Sequence, residues 1–227
     1  MYYHCNHRRK NTKFINESSS PIYLLSKRIL DIIISIVMLS IFFIPILLIV
    51  IFFNKILPGN RCPIFFKQRR SGQNCKTFSI IKFCSMKRNV NANRIQAFEN
   101  DPRITKFGNF LRNYSLDEIP QFFNVLAGNM SIVGPRPHML RHTIEYSEKI
   151  PNYLQRLSVK PGITGFAQIT GYRGETKHLE QMVGRIERDL WYIQHRNFLL
   201  DCKIILLTPL ALSPIKNKIK TILLNNL

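Results

Sequence analysis

The sequence predicts an α+β fold. A re-entrant membrane helix at the N-terminus leads into a small, mainly helical cytosolic domain with a short β-hairpin. Three observations predict it. Ile32 to Phe53 carry no charged side chain. Two short apolar stretches, 64–66 and 78–83, flank the turn Ser71-Gly72-Gln73-Asn74, which reads as a hairpin. Beyond them, helix-forming stretches alternate with breaks marked by Pro and Gly.

At about 1.5 Å per residue the apolar run makes roughly 33 Å of helix, enough to cross a bilayer. It is too long for a signal-peptide core, and a soluble core helix is rarely apolar on every face. Pro45 removes a backbone hydrogen bond in its middle and is expected to break the helix there. Lys27 and Arg28 precede the run, and Lys55, Arg61 and Lys67 follow it. Basic flanks prefer the cytoplasmic side. A helix that enters one leaflet, bends at Pro45 and returns satisfies both flanks.

Pro58-Gly59-Asn60 marks the exit turn, and 85–100 is polar and charged. Helices are expected near 107–113, 116–127, 138–157 and 178–194. The expected divisions are a basic tail (1–23), the membrane helix (24–57), the main domain (58–208) and a basic, apolar tail (209–227). Within that tail, Ile215 to Leu224 suits a membrane surface, a second subunit of a homo-oligomer, or no partner at all.

The 227 residues carry a net charge of +20, from 33 Lys plus Arg against 13 Asp plus Glu. Such an excess calls for a polyanionic partner: nucleic acid, an anionic membrane lipid surface or phosphorylated substrates. The basic residues are spread and no nucleic-acid-reading motif is present, which argues against nucleic acid. Five cysteines, none in a C-x-x-C pair, suggest neither a zinc ribbon nor a disulfide framework.

The stretch Ser115-Leu116-Asp117-Glu118-Ile119-Pro120-Gln121 contains S-x-x-E, the signature of a helix capping box. Capping accounts for Ser115 and Glu118 and leaves Asp117 unexplained. In a first helical turn the helix dipole keeps a carboxylate ionised. Such a carboxylate among Lys and Arg suits phosphoryl acceptance, and the adjacent pair suits Mg²⁺. Downstream, two prolines hold Arg136 on the stiff turn Gly134-Pro135-Arg136-Pro137, which suits a phosphate or a core carboxylate equally. Lys160 to Gln168 is a Gly-bearing loop with no Walker signature. His138, His142 and Glu145 have helical spacing but lack H-E-x-x-H, and a surface or core histidine pair is the commoner outcome.

Together these segments resemble the bacterial sugar transferase family, the monotopic phosphoglycosyl transferases. The resemblance runs from about Ser26 to Thr208. It rests on the order of Lys27-Arg28 with Asp31, the apolar run with its proline, and Lys82 to Met86. Asp101 to Thr105, Ser115 to Gln121, Gly128 to Pro137, Lys160 to Gln168, Asp189 to Ile193 and Leu200-Asp201 follow in series. It implies transfer of a sugar 1-phosphate from a UDP-sugar to undecaprenyl phosphate with release of UMP. Asp117 would be the nucleophile, and Glu118 would assist with Mg²⁺, the two carboxylates serving as its ligands. Arg136, Lys82, Arg112, Gln121 and Asp189 would bind substrate. It also implies the bacterial inner membrane, with the catalytic domain facing the cytoplasm. The family often places Ser before the helix-breaking proline; here it is Ile44. Pro137 to Leu140 and Gly171 to Thr176 look like the branch that uses UDP-glucose. A membrane-tethered nucleic-acid binder and a non-catalytic scaffold of the same fold are the alternatives, and the presence of both Asp117 and Glu118 argues against a scaffold.

Overall fold

The computed structural model describes residues 20–56, 63–87, 97–98, 101–176 and 178–212. The expected exit turn, most of the polar stretch 85–100 and the surface segment Ile215 to Leu224 lie outside them. Ser20 starts the first helix: its Oγ accepts from Ile22 N at 3.3 Å, with Pro21 in the first turn, where a missing N–H costs nothing. The helix runs as α1 (Pro21–Met38), a π turn (Leu39–Phe43) and α2 (Ile44–Ile56). The break expected at Pro45 is therefore corrected. The chain stays helical, and the widened turn just upstream absorbs the irregularity that proline imposes.

Both ends of this helix touch the same domain. At its start, Lys27 Nζ donates to Asp201 Oδ2 at 2.8 Å and to Val133 O at 3.0 Å. Asp31 accepts from Ile132 N at 2.8 Å and from Ser131 Oγ at 3.0 Å. Arg28 donates to Val125 O and Leu126 O at 2.7 and 2.9 Å, satisfying carbonyls that a helix end leaves open. Further along, Phe43 stacks near Phe65 and Phe83 and meets Phe123 edge-on at 4.9 Å. Near the far end Phe53 stacks on Phe107 at 4.5 Å. Ile22, Ile33, Leu48 and Phe52 remain exposed on the other side.

Strands β1 (Phe65–Ser71) and β2 (Thr77–Phe83) form the expected antiparallel hairpin. β1 is longer than expected because Lys67 to Arg70 are polar yet strand-forming. Phe66, Gln68 and Arg70 share one face by the two-residue period, while Arg69 points out and donates to Thr77 Oγ1 at 2.9 Å. α3 (Lys106–Asn113) follows, capped by Thr105 Oγ1, which accepts from Gly108 N at 2.8 Å. Gly108 is where α3 meets the hairpin's exit: a Cβ there would lie 1.8 Å from Ser85 O. The helix expected over 116–127 is instead a 3₁₀ turn (Leu116–Glu118) and α4 (Gln121–Leu126), separated at Pro120. Asn124 on α4 binds the edge of β2, accepting from Ile81 N at 3.0 Å and donating to Ser79 O at 2.8 Å.

A second, parallel pair, β3 (Ser131–Val133) and β4 (Gly162–Thr164), lies where the sequence suggested loops. A Cβ on Gly162 would lie 2.1 Å from Gly134 N, so only glycine admits this approach. The helix expected over 138–157 is α5 (Leu140–Lys149) followed by a 3₁₀ turn (Tyr153–Leu157), with Asn152 between them at φ 59°. α6 (Phe166–Ile169), α7 (Leu179–His195) and α8 (Phe198–Leu212) complete the described chain. α8 runs through Thr208 and contains Pro209, where the tail was expected to begin. The main core gathers Phe83, Leu111, Val125, Met130, Val133, Tyr192 and Ile204. A satellite core under α7 holds Tyr153, Leu154, Leu157 and Met182. Buried Cys75 packs into this satellite core.

Candidate active site

The turn carrying Asp117 and Glu118 is not a capping box. Ser115 sits in the left-handed region at φ 58° and makes no cap; its Oγ accepts from Arg173 Nη2 at 2.7 Å. Glu118 reaches forward to two cations instead. Lys82 Nζ donates to its Oε1 at 2.6 Å, and the Arg136 guanidinium holds both carboxylate oxygens. β2 supplies Lys82, and the turn leaving β3 supplies Arg136. Each side chain thus arrives from a separate element fixed by the packing described above.

Asp117 is buried and, among the described residues, accepts no side-chain hydrogen bond. Burial raises its carboxyl above the usual range, opposed by the Lys82 charge and reinforced by Glu118. The expectation that a helix dipole keeps it ionised is therefore corrected: the 3₁₀ turn is too short to provide one, and desolvation dominates. Burial would also raise Glu118, but the Arg136 and Lys82 charges override it and hold Glu118 well below the usual range. Glu118 is thus the fixed anion, and Asp117 is the carboxylate left uncommitted.

Both line a cavity of about 370 Å³. Lys82, Arg112 and Arg136 line it too; Gln121 and Asp189 do not. Gln121 is fully buried at the start of α4. Asp189 lies behind the site, accepting from Arg156 Nε and Nη2 at 2.9 and 2.7 Å. Arg156 Nη2 also donates to Arg136 O at 2.7 Å, so the pair braces the turn that bears Arg136. His138 is buried against the Tyr153 hydroxyl at 2.6 Å, and Glu145 turns to Lys149 at 2.8 Å.

The cavity also contains cations that the sequence reading did not name as site residues: Arg70, Arg173 and Arg185. Together with Arg112, none has a carboxylate within 4 Å among the described residues. For Arg70, the alternation Phe66, Gln68, Arg70 was the available signal; all three line the cavity. Arg173 lies in the stretch Gly171 to Thr176 that the family resemblance marked, whereas Arg185 depends on tertiary folding and gave none. Four guanidinium groups in one cavity, none in a direct ion pair among the described residues, make a strong receptor for phosphate oxygens.

The model of the family described as bacterial sugar transferase matches residues 22–213. The chain belongs to that family. It is 50% identical over 188 residues to a UDP-glucose:undecaprenyl-phosphate glucose-1-phosphate transferase of Klebsiella pneumoniae, covering 82% of this chain and 40% of the relative. It is 42% identical over 186 residues to the Caulobacter vibrioides protein of the same name, covering 81% and 68%. It is 36% identical over 191 residues to a UDP-N-acetylgalactosamine-undecaprenyl-phosphate N-acetylgalactosaminephosphotransferase of Aeromonas hydrophila, covering 83% and 44%. The chain therefore spans less than half the length of the first and third of these sugar transferases.

Proposed function

We propose that this chain transfers a sugar 1-phosphate, with glucose 1-phosphate favoured, from a UDP-sugar to undecaprenyl phosphate. The reaction would release UMP and start assembly of an exopolysaccharide, capsule or other glycan. The observation that carries this reading is the Asp117 carboxylate, free of side-chain hydrogen bonds among the described residues, on the wall of a cavity rich in guanidinium groups. The names of the relatives support the donor and acceptor. Removing glucose 1-phosphate from UDP-glucose leaves UMP.

Asp117 Oδ attacks the β-phosphorus of the donor. A carboxylate–phosphorus bond forms, the β-phosphorus–bridging oxygen bond breaks, and UMP departs with the electron pair. The phosphate oxygen of the lipid then attacks the same phosphorus and frees Asp117, giving an undecaprenyl diphosphate sugar. Lys82, Arg112 and Arg136 face the phosphoryl oxygens and offset their charge. Glu118 keeps Lys82 and Arg136 in place.

Mg²⁺ fits this site in its usual manner of one or two carboxylates completed by phosphate oxygens and water. Asp117 and Glu118 would hold it: among the described residues Asp117 accepts no side-chain hydrogen bond, and Glu118, though also bound by Lys82 and Arg136, is kept ionised. Bound there, the ion would neutralise diphosphate charge. The membrane helix is read as re-entrant, with the domain on the cytoplasmic side of the inner membrane. The contacts of both helix ends with one domain support this reading.

The test is UMP release by the full chain in nanodiscs, with undecaprenyl phosphate and a panel of UDP-sugars. Release with one sugar, lost on adding EDTA, is expected. The rate should fall as pH drops through the raised Asp117 pKa, because only the ionised carboxylate attacks. No release from folded protein with any sugar would overturn the reaction.

A further inference from the structure

We propose that Arg70 and Arg185 form a phosphate subsite that receives the phosphate of the departing nucleoside monophosphate. This rests on the transfer reaction proposed above.

Position along the hairpin gives the first argument. Phe66 pairs with Lys82, and neighbouring Phe65 and Phe83 stack on Phe43 of the membrane helix. That end of the cavity lies nearest the membrane helix. Arg70 lies four residues further along the same strand face, roughly 13 Å away at strand rise. It pairs with Phe78 at the opposite end of the hairpin. There Arg70 Nη1 donates to Pro137 O at 3.2 Å, one residue beyond Arg136. Arg185 approaches the same cavity from α7, held by Gly174 O at 2.9 Å. Along the hairpin the order is therefore Lys82 at the end nearer the membrane helix, then Arg70 beside the Arg136 turn, with Arg185 reaching the same cavity from α7.

Chemistry gives the second argument. Both arginines leave a buried Nε without a hydrogen-bond partner among the described residues. A buried donor left unmatched is costly, and two such donors on arginines that line one cavity mark where an acceptor is missing. Burial and the Arg136 charge lower each guanidinium to about 10, against the partial opposition of Asp189 at Arg185 and of Glu118 at Arg70; an arriving dianion would relieve that repulsion. The reaction makes such a dianion at this end. When the bridging oxygen keeps the electron pair, it becomes a new terminal oxygen of the monophosphate. Lys82 and Arg136 are already shared with Glu118, whereas Arg70 and Arg185 have no carboxylate partner among the described residues.

The test compares wild type with Arg70→Gln, Arg185→Gln and Arg185→Lys, as full chains in nanodiscs. Inhibition of turnover is measured with UMP and, separately, with uridine. UMP inhibition should weaken about tenfold in each Gln variant, with Arg185→Lys intermediate, while uridine inhibition stays as in wild type. Equal loss for UMP and uridine would overturn the subsite. So would unchanged UMP inhibition in folded variants, or a rise confined to the KM for undecaprenyl phosphate. If Arg185→Gln does not fold, the more peripheral Arg70→Gln decides alone. A wild type that turns over while the variants keep full UMP inhibition removes only the subsite. A wild type that releases no UMP removes the reaction itself.

Discussion

Asp117→Asn is expected to lower turnover by roughly 10⁴-fold or more, the scale seen when a nucleophile is removed. Asn is nearly isosteric and uncharged. It removes no hydrogen bond, since Asp117 makes none among the described residues, and on the cavity wall its new amide N–H groups can be met by water. Thermal unfolding of the variant should therefore stay close to wild type, and the donor should still bind, because Lys82, Arg112 and Arg136 remain. Steady-state UMP release together with a melting curve checks this. Near-normal release would remove Asp117 from the role of nucleophile.

Asp189→Asn should do the opposite: large in stability, small in chemistry. The Asp189–Arg156 pair is buried, with side chains 3% and 1% exposed. Neutralising one partner strands the other charge in the interior, at a cost of roughly 3 kcal/mol or somewhat more. The brace to Arg136 O would loosen, so kcat should fall modestly while the donor KM stays near wild type. Melting temperature and donor KM measured on one preparation separate the readings. A raised KM with an unchanged melting temperature would put Asp189 on the substrate.

The contrast between these two aspartates shows what the sequence could carry. The apolar run, the hairpin turn at Ser71 to Asn74 and helices α3 and α7 follow from local pattern, so they were legible. Asp117, Glu118, Lys82, Arg112 and Arg136 were legible as a set through motif order, and the fold gathers all five on one cavity. The role of Ser115 was not. S-x-x-E specifies a capping box only if Ser115 takes an extended conformation, and here it is left-handed and held by Arg173. The strands β3 and β4 are three residues each, too short to show a period. They pair because Gly134 and Gly162 let two distant backbones meet. Arg185 sits on an ordinary polar stretch, and only tertiary folding brings it to the cavity.

The most direct test of the central claim is to mix wild-type protein with a UDP-sugar labelled in the sugar, omitting undecaprenyl phosphate, and to measure intact mass and peptide mass. The account predicts a sugar phosphate added to the peptide that contains Asp117, with one UMP released per adduct, and its discharge when the lipid phosphate is supplied. Turnover that proceeds without any adduct, with UMP appearing only when donor and lipid are present together, would contradict it.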